Sequence, residues 1–145
     1  NAPDLVVLLE VDGSWVRGLS CLDETHPHAV RMPRSDYFGI ALYSRFPLEQ
    51  WEVLYLEDKQ TPLLLASVQC PGGNLTVLAA HPLPPISPGF ARKRNEHLAG
   101  IPPVLQATEP PYLVVGDLNA SLWSYPYRRL LERSELEDSF RGHGV

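Results

Sequence analysis

Asp117 and Asn119 stand one residue apart in the segment YLVVGDLNASLWS, residues 112–124. Both carry oxygen on short side chains. A carboxylate beside an amide suits a hard cation such as magnesium, together with a hydrogen bond to a phosphate oxygen or a water. Side chains alternate along a strand, so positions i and i+2 point the same way. The pair is therefore expected to face one spot just past the strand end. Gly, Asp and Asn are also turn formers, and GDLN alone fits a turn equally well.

Two further residues of catalytic type end apolar runs. Glu10 lies near the end of DLVVLLEV, residues 4–11, and His81 follows the run 74–80. A carboxylate that finishes a buried strand is costly unless it is paired, metal-bound or at the surface. Glu10 and Asp117 are hard oxygen ligands for Mg2+, and Asn119 suits orienting a water or a phosphate oxygen. His81 suits steadying a phosphate or moving a proton; a strand-end histidine with a structural hydrogen bond is the plainer alternative.

Such groups act together only if the elements beneath them converge on one sheet edge. Residues 4–11 read as a strand buried on both faces. Residues 12–14 read as a turn and helix start, with Trp15, Leu19 and Leu22 on one helical face. Residues 23–34 read as a loop, with His26 and His28 solvent-facing. Residues 37–44, 52–57, 62–69 and 74–80 read as four strands in succession, which implies antiparallel pairing. Arg45-Phe46-Pro47 links the first two, and Pro71-Gly72-Gly73-Asn74 is a hairpin signal between the last two. The proline-rich run after His81 leaves the sheet. Residues 89–100 read as a helix carrying Arg94 and His97, which Pro102-Pro103 should break or kink. A short apolar segment, 104–107, precedes the GDLN strand. Ser124 reads as an N-cap with Pro126 in the first turn of a helix over 127–133. Residues 136–140 read as the start of a further strand.

Composition bounds the answer. The chain has 145 residues, 44% hydrophobic and 20% charged, as expected for one globular domain or a large part of one. No apolar run reaches the roughly 18–20 residues that cross a bilayer. The net charge of −5 lacks the basic footprint of a protein that grips nucleic acid through its backbone, although Arg92-Lys93-Arg94 and Arg128-Arg129 are local basic groups. Cys21 and Cys70 lack metal-ligand spacing and are expected to be buried thiols. The first residues show no basic leader and start almost inside an apolar run, which suggests further chain upstream.

The order LLEV, GIALYSRFPL, LAAHPLPP, GDLNASLWS resembles the endonuclease/exonuclease/phosphatase superfamily, across almost the whole chain. HPLPP and the stretch from Tyr37 to Arg45 are most similar to a bacterial branch that often carries membrane segments upstream, so membrane association through such segments is an expectation. The resemblance implies an α+β fold, a four-layer α/β/β/α sandwich of two mainly antiparallel sheets with flanking helices. Residues 1–145 would form one such domain in part. It implies phosphoester hydrolysis dependent on Mg2+ or Mn2+, with in-line attack by an activated water. Glu10 matches the metal-binding glutamate. Asp117 and Asn119 match the GDxN pair that positions the water and the transition-state phosphate, Asp117 also near the metal. His81 matches a phosphate-contacting histidine. Arg94 sits where relatives often have an RxxQL-like helix, as a structural or phosphate-facing arginine.

The pattern also departs from the family's. No upstream strand ending in asparagine precedes Glu10, and no Asp-His pair follows; His143 is preceded by Gly142. Asp138 resembles a position after the last helix. The chain is therefore expected to be the middle of a domain, with exposed sheet edges that favour self-association. The alternative function is a non-catalytic binding or scaffold module that keeps the fold. Substrate would be read by the loops 23–34, 82–89 and 121–125. Nucleic acid is one candidate, and the acidity favours shorter or non-nucleic phosphoesters. Trp123 is expected to cover core rather than stack on a base.

Overall fold

The computed structural model describes residues 2–56 and 60–140. Their strands form two sheets. In the first, β1 (Leu5–Leu9) and β2 (His28–Met32) flank β3 (Ile40–Ser44), all antiparallel. The second has the order β4 (Leu48–Tyr55), β5 (Pro62–Cys70), β6 (Gly73–Ala80), β7 (Tyr112–Gly116). Its first three strands are antiparallel, and β7 runs parallel to β6. A parallel neighbour needs a crossover, and α3 (Pro88–Gln106) supplies it.

The period of two along β5 decides the layers. Leu63 and Leu65 pack with Leu98, Ile101 and Leu105 of α3 and with Leu130 of α4 (Tyr125–Ser134). Leu64 and Ala66 face the other way, against Val30, Ile40 and Leu42 of the first sheet. The outer face of that sheet, Ala41 and Tyr43, packs with Leu22 from the short α2 (Leu22–Thr25). The result is the expected α/β/β/α sandwich. Fully burying one leucine contributes roughly 1.5–3 kcal/mol, so the two faces of β5 hold three layers together.

Several expectations are corrected. Residues 23–34 are not all loop: β2 pairs with β3 from His28↔Ser44 to Met32↔Ile40. The four successive strands do not all pair in succession: β4, β5 and β6 do, but β3 pairs with β1 and β2, and the chain passes from the first sheet to the second between β3 and β4. The helix expected to break at Pro102-Pro103 continues to Gln106, with Ala107 as its C-cap, and so takes in the segment expected after the break. Ile101, Pro102 and Leu105 are buried there, and that packing outweighs the missing backbone donors.

No strand forms over residues 136–140. Trp15, Leu19 and Leu22 do not share one helix: α1 (Gly13–Gly18) stops short, and Trp15 is solvent-exposed. His26 is buried, its Nε2 3.0 Å from the Pro3 carbonyl oxygen and its Nδ1 2.8 Å from Thr25 Oγ1. Cys21 is exposed on the short α2 turn, and Cys70 is half-buried at the end of β5. Trp123 is 82% exposed and covers no core. Glu57 and His143 lie outside the described residues.

Candidate active site

β1 delivers Glu10. The strand ends at Leu9, and Glu10 turns out of it with φ 60, its side chain 58% exposed. The chain is caught again at once. Val11 N–H donates to the Gly39 carbonyl at 3.2 Å, and the Val11 carbonyl accepts from Arg34 N–H at 3.0 Å. A Cβ on Gly39 would lie 1.8 Å from the Val11 oxygen, so only glycine permits this approach.

β6 and β7 deliver His81 and Asp117 as neighbours. The parallel register pairs Ala80 with Gly116, and His81 and Asp117 are the next residues on each strand. Gly116 has φ 140, and a Cβ there would come within 2.0 Å of the Ala80 carbonyl oxygen. His81 is buried, with its ring centroid 5.6 Å from that of Phe38. Its Nε2 lies 3.8 Å from Glu10 Oε1, and its Nδ1 has no hydrogen-bond partner among the described residues.

The strand stops at Gly116, so strand alternation does not relate Asp117 to Asn119. A turn does. Asp117 Oδ1 accepts the Asn119 backbone N–H at 2.9 Å, and Asn119 takes φ 50. Asn119 Nδ2 donates to the Pro82 carbonyl at 2.9 Å. The turn and the catalytic-type pair are thus one feature: the asparagine tolerates the left-handed backbone while its amide ties β7 to the segment after His81.

Glu10, His81, Asp117 and Asn119 all line one open cavity of about 600 Å³. Arg94 is not among its lining residues. It is buried on α3, where its guanidinium donates to the Asn119 carbonyl and its Nε to Asn95 Oδ1 at 2.8 Å. Sequence reasoning missed the wall formed by Arg34, Asp36, Tyr37 and Phe38. Arg34 grips Asp36 with Nε and Nη2, the Nε contact being 2.8 Å. That hydrogen bond holds the Asp36 carboxyl at about 2, from an ordinary 3.8, and raises the guanidinium's own pKa. The only signal in the sequence was an Arg and an Asp two apart ahead of a strand. Glu10, Tyr37 and Asn119 line this one cavity, and all three have positive φ. Strain of this kind costs of order 1–3 kcal/mol per residue and gathers at functional sites.

The donors suit a hard, water-keeping cation. Glu10 and Asp117 are exposed carboxylates, and magnesium commonly binds through one or two carboxylates while keeping several waters. Among the described residues no cluster of three or more His, Cys, Asp or Glu forms a closed cage of the zinc type.

The chain matches the model of the Endonuclease/Exonuclease/phosphatase family over residues 1–144, and it belongs to that family, one of phosphoesterases. Among solved structures it is similar to sphingomyelinase C from Streptomyces griseocarneus, at 20% identity and TM-score 0.75, covering 93% of this chain and 58% of that one. Beta toxin from Staphylococcus aureus, an F277A, P278A mutant solved with bound magnesium ions, matches at 18% identity and TM-score 0.74, over 93% and 58%. An endonuclease/exonuclease/phosphatase from Beutenbergia cavernae matches at 24% identity and TM-score 0.70, over 97% and 47%. At these identities the likeness is one of fold, and the chain spans about half to three fifths of these structures' length. No curated protein gives a significant match. No helix among the described residues is long and apolar enough to cross a membrane.

Proposed function

We propose that residues 1–145 belong to one catalytic domain of a metal-dependent phosphoester hydrolase, a phosphodiesterase or nuclease. The observation that carries this reading is the meeting of three strand exits. Glu10 from one sheet and His81 and Asp117 from the other line a single cavity. Glu10 and Asp117 would hold Mg2+ or Mn2+, which when bound supplies positive charge to the phosphate oxygens.

The remaining chemistry belongs to side chains. Asp117 aligns a water and accepts its proton as the oxygen attacks phosphorus in line with the leaving group. The new P–O bond forms as the bond to the leaving oxygen breaks, and that oxygen takes a proton from solvent. Asn119 and His81 hold non-bridging phosphate oxygens as charge builds on them. The turn closed by Asp117 Oδ1 and the anchor to Pro82 fix Asn119 before substrate arrives.

The test is hydrolysis of phosphodiesters by the full chain with Mg2+ or Mn2+, screened over DNA, RNA, phospholipids and inositol phosphates. Asp117→Ala and Glu10→Ala should each lose about a hundredfold or more in rate. Full activity in Asp117→Ala would overturn the assignment. A wild-type chain that binds phosphoesters without turnover would instead support the non-catalytic module.

A further inference from the structure

Tyr37 is held where a tyrosine gains little. Its φ of 66 lies in the left-handed region, and the residue is 72% exposed, so burial does not offset the strain. Glycine or asparagine would adopt this backbone at lower cost. Its neighbours are fixed on both sides. Asp36 is gripped by Arg34 and accepts the Phe38 N–H at 3.3 Å, Phe38 packs on His81, and Gly39 is bonded to Val11. The loop thus holds one exposed ring at a set place beside Glu10 and His81. A second ring stands near it: Trp15 of α1, 58% exposed, lines a cavity of about 620 Å³ together with Tyr37, Glu10, His81 and Asp117.

We propose that Tyr37 and Trp15 form a subsite for a planar aromatic group attached to the scissile phosphate, an aryl ring or a nucleobase. This rests on the phosphoester reading above. Ring faces stack on any flat π-system with little sequence preference, and two rings beside a phosphate position select substrates by that feature. Arg34 lines the same cavity, but it is paired with Asp36, and Glu10, Asp12 and Asp117 line that cavity too. Charge therefore does not exclude a cationic group, which rings also attract, and phosphocholine is included among the probes. The strain at Tyr37 is then the cost of keeping a ring where glycine would be the more stable choice.

The test is equilibrium binding to the full chain with magnesium present, followed by tryptophan fluorescence and calorimetry. The probes are phenyl phosphate, thymidine 5′-monophosphate, glycerol phosphate and phosphocholine. The two ring-bearing probes should bind about tenfold more tightly than glycerol phosphate. Tyr37→Gly should erase that preference by weakening the two ring-bearing probes about tenfold more than glycerol phosphate, and should melt no lower than the wild type. Tyr37→Phe should retain the preference, and Trp15→Ala should weaken it in the same direction.

Equal losses for all probes, no loss for any, or a preference for phosphocholine would each overturn the ring subsite. A preference for only one ring-bearing probe would support the subsite and identify the source of the ring. A Tyr37→Gly chain that melts well below the wild type would count against the proposal, because the tyrosine would then be structural. Ring binding through Tyr37 in a chain that hydrolyses nothing would overturn the hydrolase reading alone. Hydrolysis without ring preference would overturn the subsite alone.

Discussion

His81 Nε2 lies 3.8 Å from Glu10 Oε1, and this contact joins strand exits of two different sheets. The separation is longer than a hydrogen bond, and the carboxylate is largely in water. Exposed pairs contribute about 0–1 kcal/mol. Glu10→Gln should therefore change unfolding free energy by less than about 1 kcal/mol in urea titrations. It should still remove most metal-dependent hydrolysis. A large stability loss with hydrolysis intact would make Glu10 a structural residue.

Arg94 gives the opposite expectation. Its buried guanidinium donates to the carbonyl of Asn119, a residue whose backbone is already left-handed. Arg94→Leu leaves that carbonyl without its donor and should cost about 1–3 kcal/mol, read as a lower melting temperature. Hydrolysis should fall through kcat as the Asn119 turn loosens. A raised KM with an unchanged melting temperature would instead put Arg94 on the substrate.

The loop that carries Tyr37 should respond to acid. The Asp36 carboxyl is held at about 2 in the folded chain by its hydrogen bonds with Arg34, against an ordinary 3.8. A depressed folded value stabilises the fold above the unfolded value. The contribution is thus complete above about pH 4 and is lost as pH falls towards about 2. The side chain is 49% exposed, so solvent screening keeps the effect to about 1 kcal/mol or less. Asp36→Asn should be slightly less stable than the wild type at pH 6 and should converge with it near pH 2. An unchanged difference across that range would mean the pair contributes nothing.

What could be read from the chain divides along physical lines. Glu10, His81 and Asp117 were legible because each interrupts or follows an apolar run, and an apolar run ending in a polar group is a local signal. The strand at β2 was not. Of its five residues only Val30 is buried, and its pairing partner lies across a loop, so short-range pattern carried little of it. The double proline misled for the same reason: Ile101 and Leu105 are held by the sheet beneath them, which local propensity does not contain. Asn119 was placed correctly beside Asp117 but by the wrong geometry, since a turn rather than strand alternation sets it. Arg34 looked like an ordinary loop residue, and Tyr37 like the start of a strand that in fact begins at Ile40. Their meaning lies in a grip on Asp36 and in a backbone angle, neither of which composition reveals.

Gly116 approaches the Ala80 carbonyl so closely that no side chain fits between them. The imidazole of His81 and the carboxylate of Asp117 are therefore spaced by two peptide units in direct contact. Substitutions in the surrounding loops act on groups attached elsewhere, at the Arg34–Tyr37 wall and at Trp15. A change in those loops can thus reshape the cavity wall while the spacing of these two side chains, set by the Gly116–Ala80 contact, stays as it is.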